Sequence, residues 1–149
     1  MEKTILYGEP HKMDKEIIQL NGTHPTLDCQ GCEREKISSE ETMRLFLDTL
    51  PSTLGMHKIM QPFVLKYEWD GKSWDKGGIS AFVMIAESHI SIHTFPQDSL
   101  LTADVYSCKP FDTKKAIEQF KKAFSARTIK KNILKRDITL VRQRALARK

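Results

Sequence analysis

The chain of 149 residues is long enough to bury one core of ordinary domain size, and its 40% hydrophobic and 29% charged residues exclude a wholly disordered or fibrous protein. Its net charge of +5, from 24 basic and 19 acidic residues, is concentrated toward the C-terminal end, where Lys121 to Lys149 hold eleven Lys or Arg against the single acid Asp137. No stretch approaches the roughly 18 apolar residues of a membrane span, and no signal-peptide core follows Met1-Glu2-Lys3, so a cytoplasmic protein is expected.

Residues 1–21 mix charges with short apolar pairs and read as an N-terminal extension, with the domain proper spanning 22–149. Gly22 to Cys32 can hold a short first strand, which Pro25 would confine to a sheet edge or a strand start. Ser38-Ser39-Glu40-Glu41 has the form of a capping box, with Ser38 as cap, and Met43, Phe46, Leu47 and Leu50 then make one helical stripe that Pro51 stops. Ile59 to Tyr67 and Ile79 to Ala86 read as strands around the polar, glycine-bearing segment Glu68 to Gly78.

From His89 to Phe95 the chain alternates, with Ile90, Ile92 and Thr94 on one side and His89, Ser91 and His93 on the other. Leu101 to Cys108 alternates likewise. A second helix over about Thr113 to Ala126 gathers Ala116, Ile117, Phe120, Ala123 and Phe124, and Ile129 to Leu140 supplies a last strand or two. The sum is an α+β fold, a two-layer α/β sandwich with an antiparallel sheet and helices packed on one face.

Three groups of residues invite chemistry. The three cysteines cannot all pair, and Cys29-Gln30-Gly31-Cys32 with His24 nearby is a partial zinc pattern that lacks a second pair. His89 and His93 share a strand face, so a zinc-binding module is one non-enzymatic reading. The basic C-terminal segment suggests a nucleic-acid module or, without aromatic interleaving, simply a solvated face.

The third group is Glu87-Ser88-His89-Ile90-Ser91-Ile92-His93-Thr94-Phe95-Pro96, continued by Asp104-Val105-Tyr106-Ser107-Cys108. This run resembles the self-processing motif of the prokaryotic S-adenosylmethionine decarboxylase proenzyme family, and Gly22-Thr23-His24, Cys32-Glu33 and Gly78-Ile79-Ser80-Ala81 extend the likeness. The resemblance implies a pyruvoyl-dependent carboxy-lyase of polyamine, and specifically spermidine, biosynthesis, made as a zymogen. Autocatalytic cleavage between Glu87 and Ser88 would give a β chain of residues 1–87 and an α chain of 88–149.

By the same resemblance, Ser88 attacks the Glu87 carbonyl and becomes the pyruvoyl group, on which the substrate amine forms a Schiff base. His93 and Ser80 serve proton transfer in processing, and Cys108 donates the proton after decarboxylation. Glu87, Trp74 and Gln97 contribute to substrate binding. No metal, pyridoxal phosphate, nucleic acid or membrane is implied; the expected partners are the small-molecule substrate and a second processed copy in a homodimer with interfacial active sites.

One departure bears on the substrate. Family members usually continue Thr-Trp-Pro-Glu, the carboxylate holding the ribose hydroxyls of S-adenosylmethionine, whereas this chain reads Thr94-Phe95-Pro96-Gln97-Asp98. Gln97 retains hydrogen bonding without the charge. S-adenosylmethionine is the expected substrate, with arginine or ornithine as the alternative for the same mechanism.

Overall fold

The computed structural model describes residues 14–144. Within them lie six strands and three helices: β1 (Asp14–Gln30), α1 (Arg34–Ile37), α2 (Glu40–Thr53), β2 (Phe63–Glu68), β3 (Gly77–Ile85), β4 (Ser88–Phe95), β5 (Leu100–Ser107), α3 (Thr113–Phe124) and β6 (Thr128–Arg144), with a 3-10 turn at Pro96–Asp98. The strands form one sheet in the order β2-β3-β4-β5-β1-β6, every pair antiparallel.

Strand alternation divides the sheet into a dry face and an open one. Leu27, Ile79, Val83, Ile90, Ile92, Leu101 and Val105 are fully buried and share a core cluster with Met43, Leu47 and Leu50 of α2 and Phe120 and Phe124 of α3. Phe46 packs edge-on against Phe120 and Phe124, each at 4.8 Å between ring centroids. Such pairs add about 0.5–1.5 kcal/mol beyond the area they bury. This is the two-layer α/β sandwich expected from the alternation.

Local chemistry explains where the helices start. The Ser39 hydroxyl accepts from the Thr42 amide at 3.1 Å and caps α2, whereas the Ser38 hydroxyl donates to the Arg34 carbonyl at 2.7 Å at the end of α1. The cap is therefore Ser39 and not Ser38, because the preceding short helix takes Ser38 into its own last turn. Pro51 does not stop α2, which runs to Thr53 with Pro51 buried. In α3 the Asp112 carboxylate accepts from the Lys115 amide at 3.0 Å, and Ser125 ends the helix in a left-handed conformation.

The ends of the chain depart most from the sequence reading. Residues 14–21, assigned there to an extension, form the first half of the 17-residue strand β1; residues 1–13 lie outside the described residues. All of β1 pairs with β6, from Asp14↔Arg144 to Gln30↔Thr128. Pro25 consequently sits in an interior strand. Its missing N–H is accommodated where the β1–β5 ladder is interrupted, between Thr23↔Ser107 and Thr26↔Asp104.

Much of the basic C-terminal segment is the edge strand β6, where exposed Lys130, Lys131 and Lys135 discourage edge-to-edge pairing. Its last residues, 145–149, lie outside the described residues. Among the described residues no helix is long and apolar enough to cross a membrane.

Candidate active site

The Glu87–Ser88 bond lies where a tight turn enters a strand. Ile85 pairs with Ser88, so only Ala86 and Glu87 connect β3 to β4. Two-residue hairpins normally use positive φ inside the turn, supplied by Gly or Asn, but neither Ala86 nor Glu87 adopts it. The unusual conformation falls instead on Ser88, with φ 153°, a backbone region that favours glycine and costs other residues about 1–3 kcal/mol. The strain sits on the residue that carries the candidate nucleophile.

The surroundings hold Glu87 at both ends. Its carbonyl oxygen accepts from the Cys108 amide at 2.8 Å, beyond the Ser88↔Ser107 pair of the β4–β5 ladder. Its carboxylate, 4% exposed, accepts from the His57 amide at 3.0 Å and from the His57 Nδ1 at 2.6 Å. Burial pushes the Glu87 carboxyl upward, but the contacts from the His57 amide and ring outweigh it and hold the group below the usual carboxylate range.

Cys108 follows directly on β5 and is half-buried, unlike Cys29 and Cys32, which are buried on the dry side. Burial, together with Cys32 and Asp28, pushes the Cys29 thiol up to about 12, and burial also raises Cys32. His24 is not their neighbour. It lies on the open face, where its Nε2 meets Asp104 at 2.9 Å, so the partial zinc pattern is divided between opposite faces of the sheet.

Ser80 and His93 are register partners on β3 and β4, with Ser80 Oγ 2.9 Å from His93 Nδ1. They touch each other but do not reach Ser88. His93 is five residues along β4 from Ser88, about 17 Å at the usual strand rise. His89, by contrast, contacts the rings of His24 and Tyr106, with centroids at 6.4 and 5.8 Å. Four residues, about 13 Å of strand, separate His89 from His93, so they cannot share an ion.

Trp74 and Gln97 gather at the His93 end. Trp74 is 80% exposed and stacks on Phe95 at 6.1 Å, so it is no core residue. Its loop is held by its own bonds: Asp70 accepts from the Lys72 and Ser73 amides, Tyr67 donates to Asp75, and Lys76 lies over the Trp69 ring. Gln97 lies in the 3-10 turn after β4, and a cavity of about 410 Å³ is lined by Trp69, Lys76, Gln97 and Asp98. Gly78 permits the close crossing beside it, since a Cβ there would stand 2.0 Å from the Thr94 carbonyl oxygen.

The candidate residues thus form two groups at opposite ends of β4: Glu87, Ser88 and Cys108 at one, and Ser80, His93, Trp74 and Gln97 at the other. His57 was not legible from sequence, because it lies thirty residues before Glu87 and meets it only through the fold.

A profile of the S-adenosylmethionine decarboxylase family matches residues 23–137, most of the chain. The chain belongs to the S-adenosylmethionine decarboxylase family. Within that family it is 30% identical to the S-adenosylmethionine decarboxylase proenzyme of Pyrococcus furiosus over 119 residues, 78% of this chain and 79% of that protein. It is 30% identical to the proenzyme of Archaeoglobus fulgidus over 100 residues, 67% of this chain and 80% of that protein. The crystal structure of the adenosylmethionine decarboxylase of Aquifex aeolicus superimposes with a TM-score of 0.63 at 29% identity, covering 80% of this chain and 92% of that one. The S-adenosylmethionine decarboxylase match spans β1 to β6 and includes both groups of candidate residues.

Proposed function

We propose that this chain is a self-cleaving precursor that splits between Glu87 and Ser88 and then decarboxylates S-adenosylmethionine through a pyruvoyl group made from Ser88. The observation that carries the reading is the Cys108 amide donating to the Glu87 carbonyl at 2.8 Å, at the same peptide bond whose following residue has φ 153°.

Attack of Ser88 Oγ on the Glu87 carbonyl carbon puts negative charge on the oxygen that Cys108 already faces, a preorganised oxyanion contact. Breaking the C–N bond then converts the peptide to an ester and frees the Ser88 amine. Loss of the Ser88 α-proton expels the Glu87 carboxylate and leaves a dehydroalanine end, which water hydrolyses to the pyruvoyl group with release of ammonia. The residues around Ser88 fit that group, since Glu87 is held independently of the bond that breaks and the half-buried Cys108 adjoins the site.

When formed, the pyruvoyl group supplies an electrophilic carbonyl that accepts the electrons released by decarboxylation. Cys108 is then the proton donor to the substrate α-carbon. Trp74 offers an aromatic face to a sulfonium, and Gln97 a neutral hydrogen-bonding group to hydroxyls.

From the about 17 Å of strand between Ser88 and His93 we infer that the Ser80–His93 pair acts on a second copy and not on its own Ser88. A two-fold homodimer with opposed open faces brings the Ser88 end of one β4 to the His93 end of the other. Phe63, Leu65 and Met84, 49%, 54% and 40% exposed on the open side, would then be covered. The processing pair and the Trp74–Gln97 region would both come from the partner.

Intact mass under denaturing conditions, followed by carbon dioxide release from S-adenosylmethionine, arginine and ornithine, tests this reading. Two fragments divided at Glu87/Ser88 and turnover of S-adenosylmethionine are expected. A single uncut chain overturns the mechanism, and turnover of arginine or ornithine alone overturns the substrate.

A further inference from the structure

His57, outside the motif, engages the cleavage site directly through the Glu87 carboxylate. It lies after α2, where its carbonyl accepts from the Ala86 amide at 2.8 Å and the adjacent Lys58 bridges to Ile85. The segment is thereby fastened to the base of the β3–β4 turn. From there the His57 amide meets one Glu87 carboxylate oxygen and Nδ1 the other, while the ring remains 75% exposed. An ionised carboxylate can only accept, so Nδ1 is the donor in this pair.

We propose that His57 is a positioning residue for self-cleavage, using its Nδ1–H to fix the Glu87 side chain so that the junction stays strained at Ser88 and the Glu87 carbonyl stays on the Cys108 amide. The proposal rests on the cleavage reading and assigns the device that holds the scissile bond ready. A conformation such as φ 153° persists only where its neighbours are pinned. The preceding residue is pinned at its carbonyl by one bond and at its carboxylate by two, and the ring bond is the shortest of the three. Without it, Glu87 can rotate and the turn can relax toward an unstrained hairpin. After cleavage Glu87 is a chain end, and the same clamp keeps it in the wall of the site.

The test follows splitting of the full chain over time, after cell-free synthesis, on denaturing gels. His57→Ala should slow splitting about 10-fold or more, because small misplacement of reacting atoms is costly. His57→Asn, whose amide N–H stands close to where Nδ1–H does, should recover most of the rate. His57→Gln, whose amide extends toward the Nε2 position, should remain slow. Splitting of His57→Ala at the wild-type rate overturns the proposal, as does failure of Asn to rescue better than Gln. Wild-type chain that never splits brings down the cleavage reading and this proposal with it. In a Ser88→Ala background His57→Ala should keep a cooperative thermal transition within a few degrees of its parent; loss of that transition makes His57 a structural residue and overturns the positioning role.

Discussion

Ser80 Oγ and His93 Nδ1 lie 2.9 Å apart across the β3–β4 ladder, at the opposite end of β4 from the bond they are expected to help cleave. Two groups in contact and in register form a unit that can pass a proton, and the unit can act only where its open side faces a substrate. The proposed dimer supplies that substrate as the partner's cleavage junction.

A complementation experiment follows from this placement. Ser88→Ala and His93→Ala chains, each made alone, should stay uncut or nearly so. Made together, the His93→Ala chain should be cut, because its intact Ser88 faces the intact pair of a Ser88→Ala copy. Intact masses distinguish the two chains, and no cut His93→Ala product in the mixed sample argues for processing within one copy.

Cys108→Ala keeps the backbone amide that faces the Glu87 carbonyl and removes only the thiol. Splitting should therefore proceed, while turnover falls by about 10²-fold or more, the usual loss when a general acid is removed. Unchanged carbon dioxide release from the split variant would remove Cys108 from the reaction.

The thiols should also separate by reactivity. Cys29, buried and pushed up to about 12, and the likewise buried Cys32 are poor nucleophiles at neutral pH, whereas Cys108 is half-buried. Brief alkylation of the folded protein, read by peptide mass, should label Cys108 first, with Cys29 and Cys32 reacting only after denaturation. Early labelling of Cys29 would contradict the closed core between β1 and the helices.

Acid should unlock the Glu87 clamp. The Glu87 carboxyl titrates below its ordinary value when folded, so it contributes stability above the unfolded value of about 4.3, and that contribution is lost as pH falls through the lower folded one. In a Ser88→Ala background, which stays in one piece, Glu87→Gln should show a shallower loss of stability than its parent on acidification below about pH 5. Denaturant melts across that range make the comparison, and parallel curves would show that Glu87 carries no such linkage.

The sequence determined the layers of this fold because alternation and helical spacing are local. His89 to Phe95 shows its buried side in Ile90, Ile92 and Thr94, and Phe120 and Phe124 mark the inward face of α3. It also determined the family, since Glu87 through Pro96 and Asp104 through Cys108 are contiguous runs. What it left open are matters of distance. Ser38 and Ser39 are equivalent as letters, and only the presence of α1 selects Ser39 as the cap. Pro25 reads as an edge residue until β6 closes over β1. His24 stands near Cys29 and Cys32 in sequence, but its odd spacing from Cys29 along an extended strand turns it to the other face. His93 is five residues from Ser88 in the chain and about 17 Å away in space, while His57 is thirty residues from Glu87 and in contact with it. Local pattern fixes which face a side chain occupies; strand pairing and turn geometry decide which side chains meet.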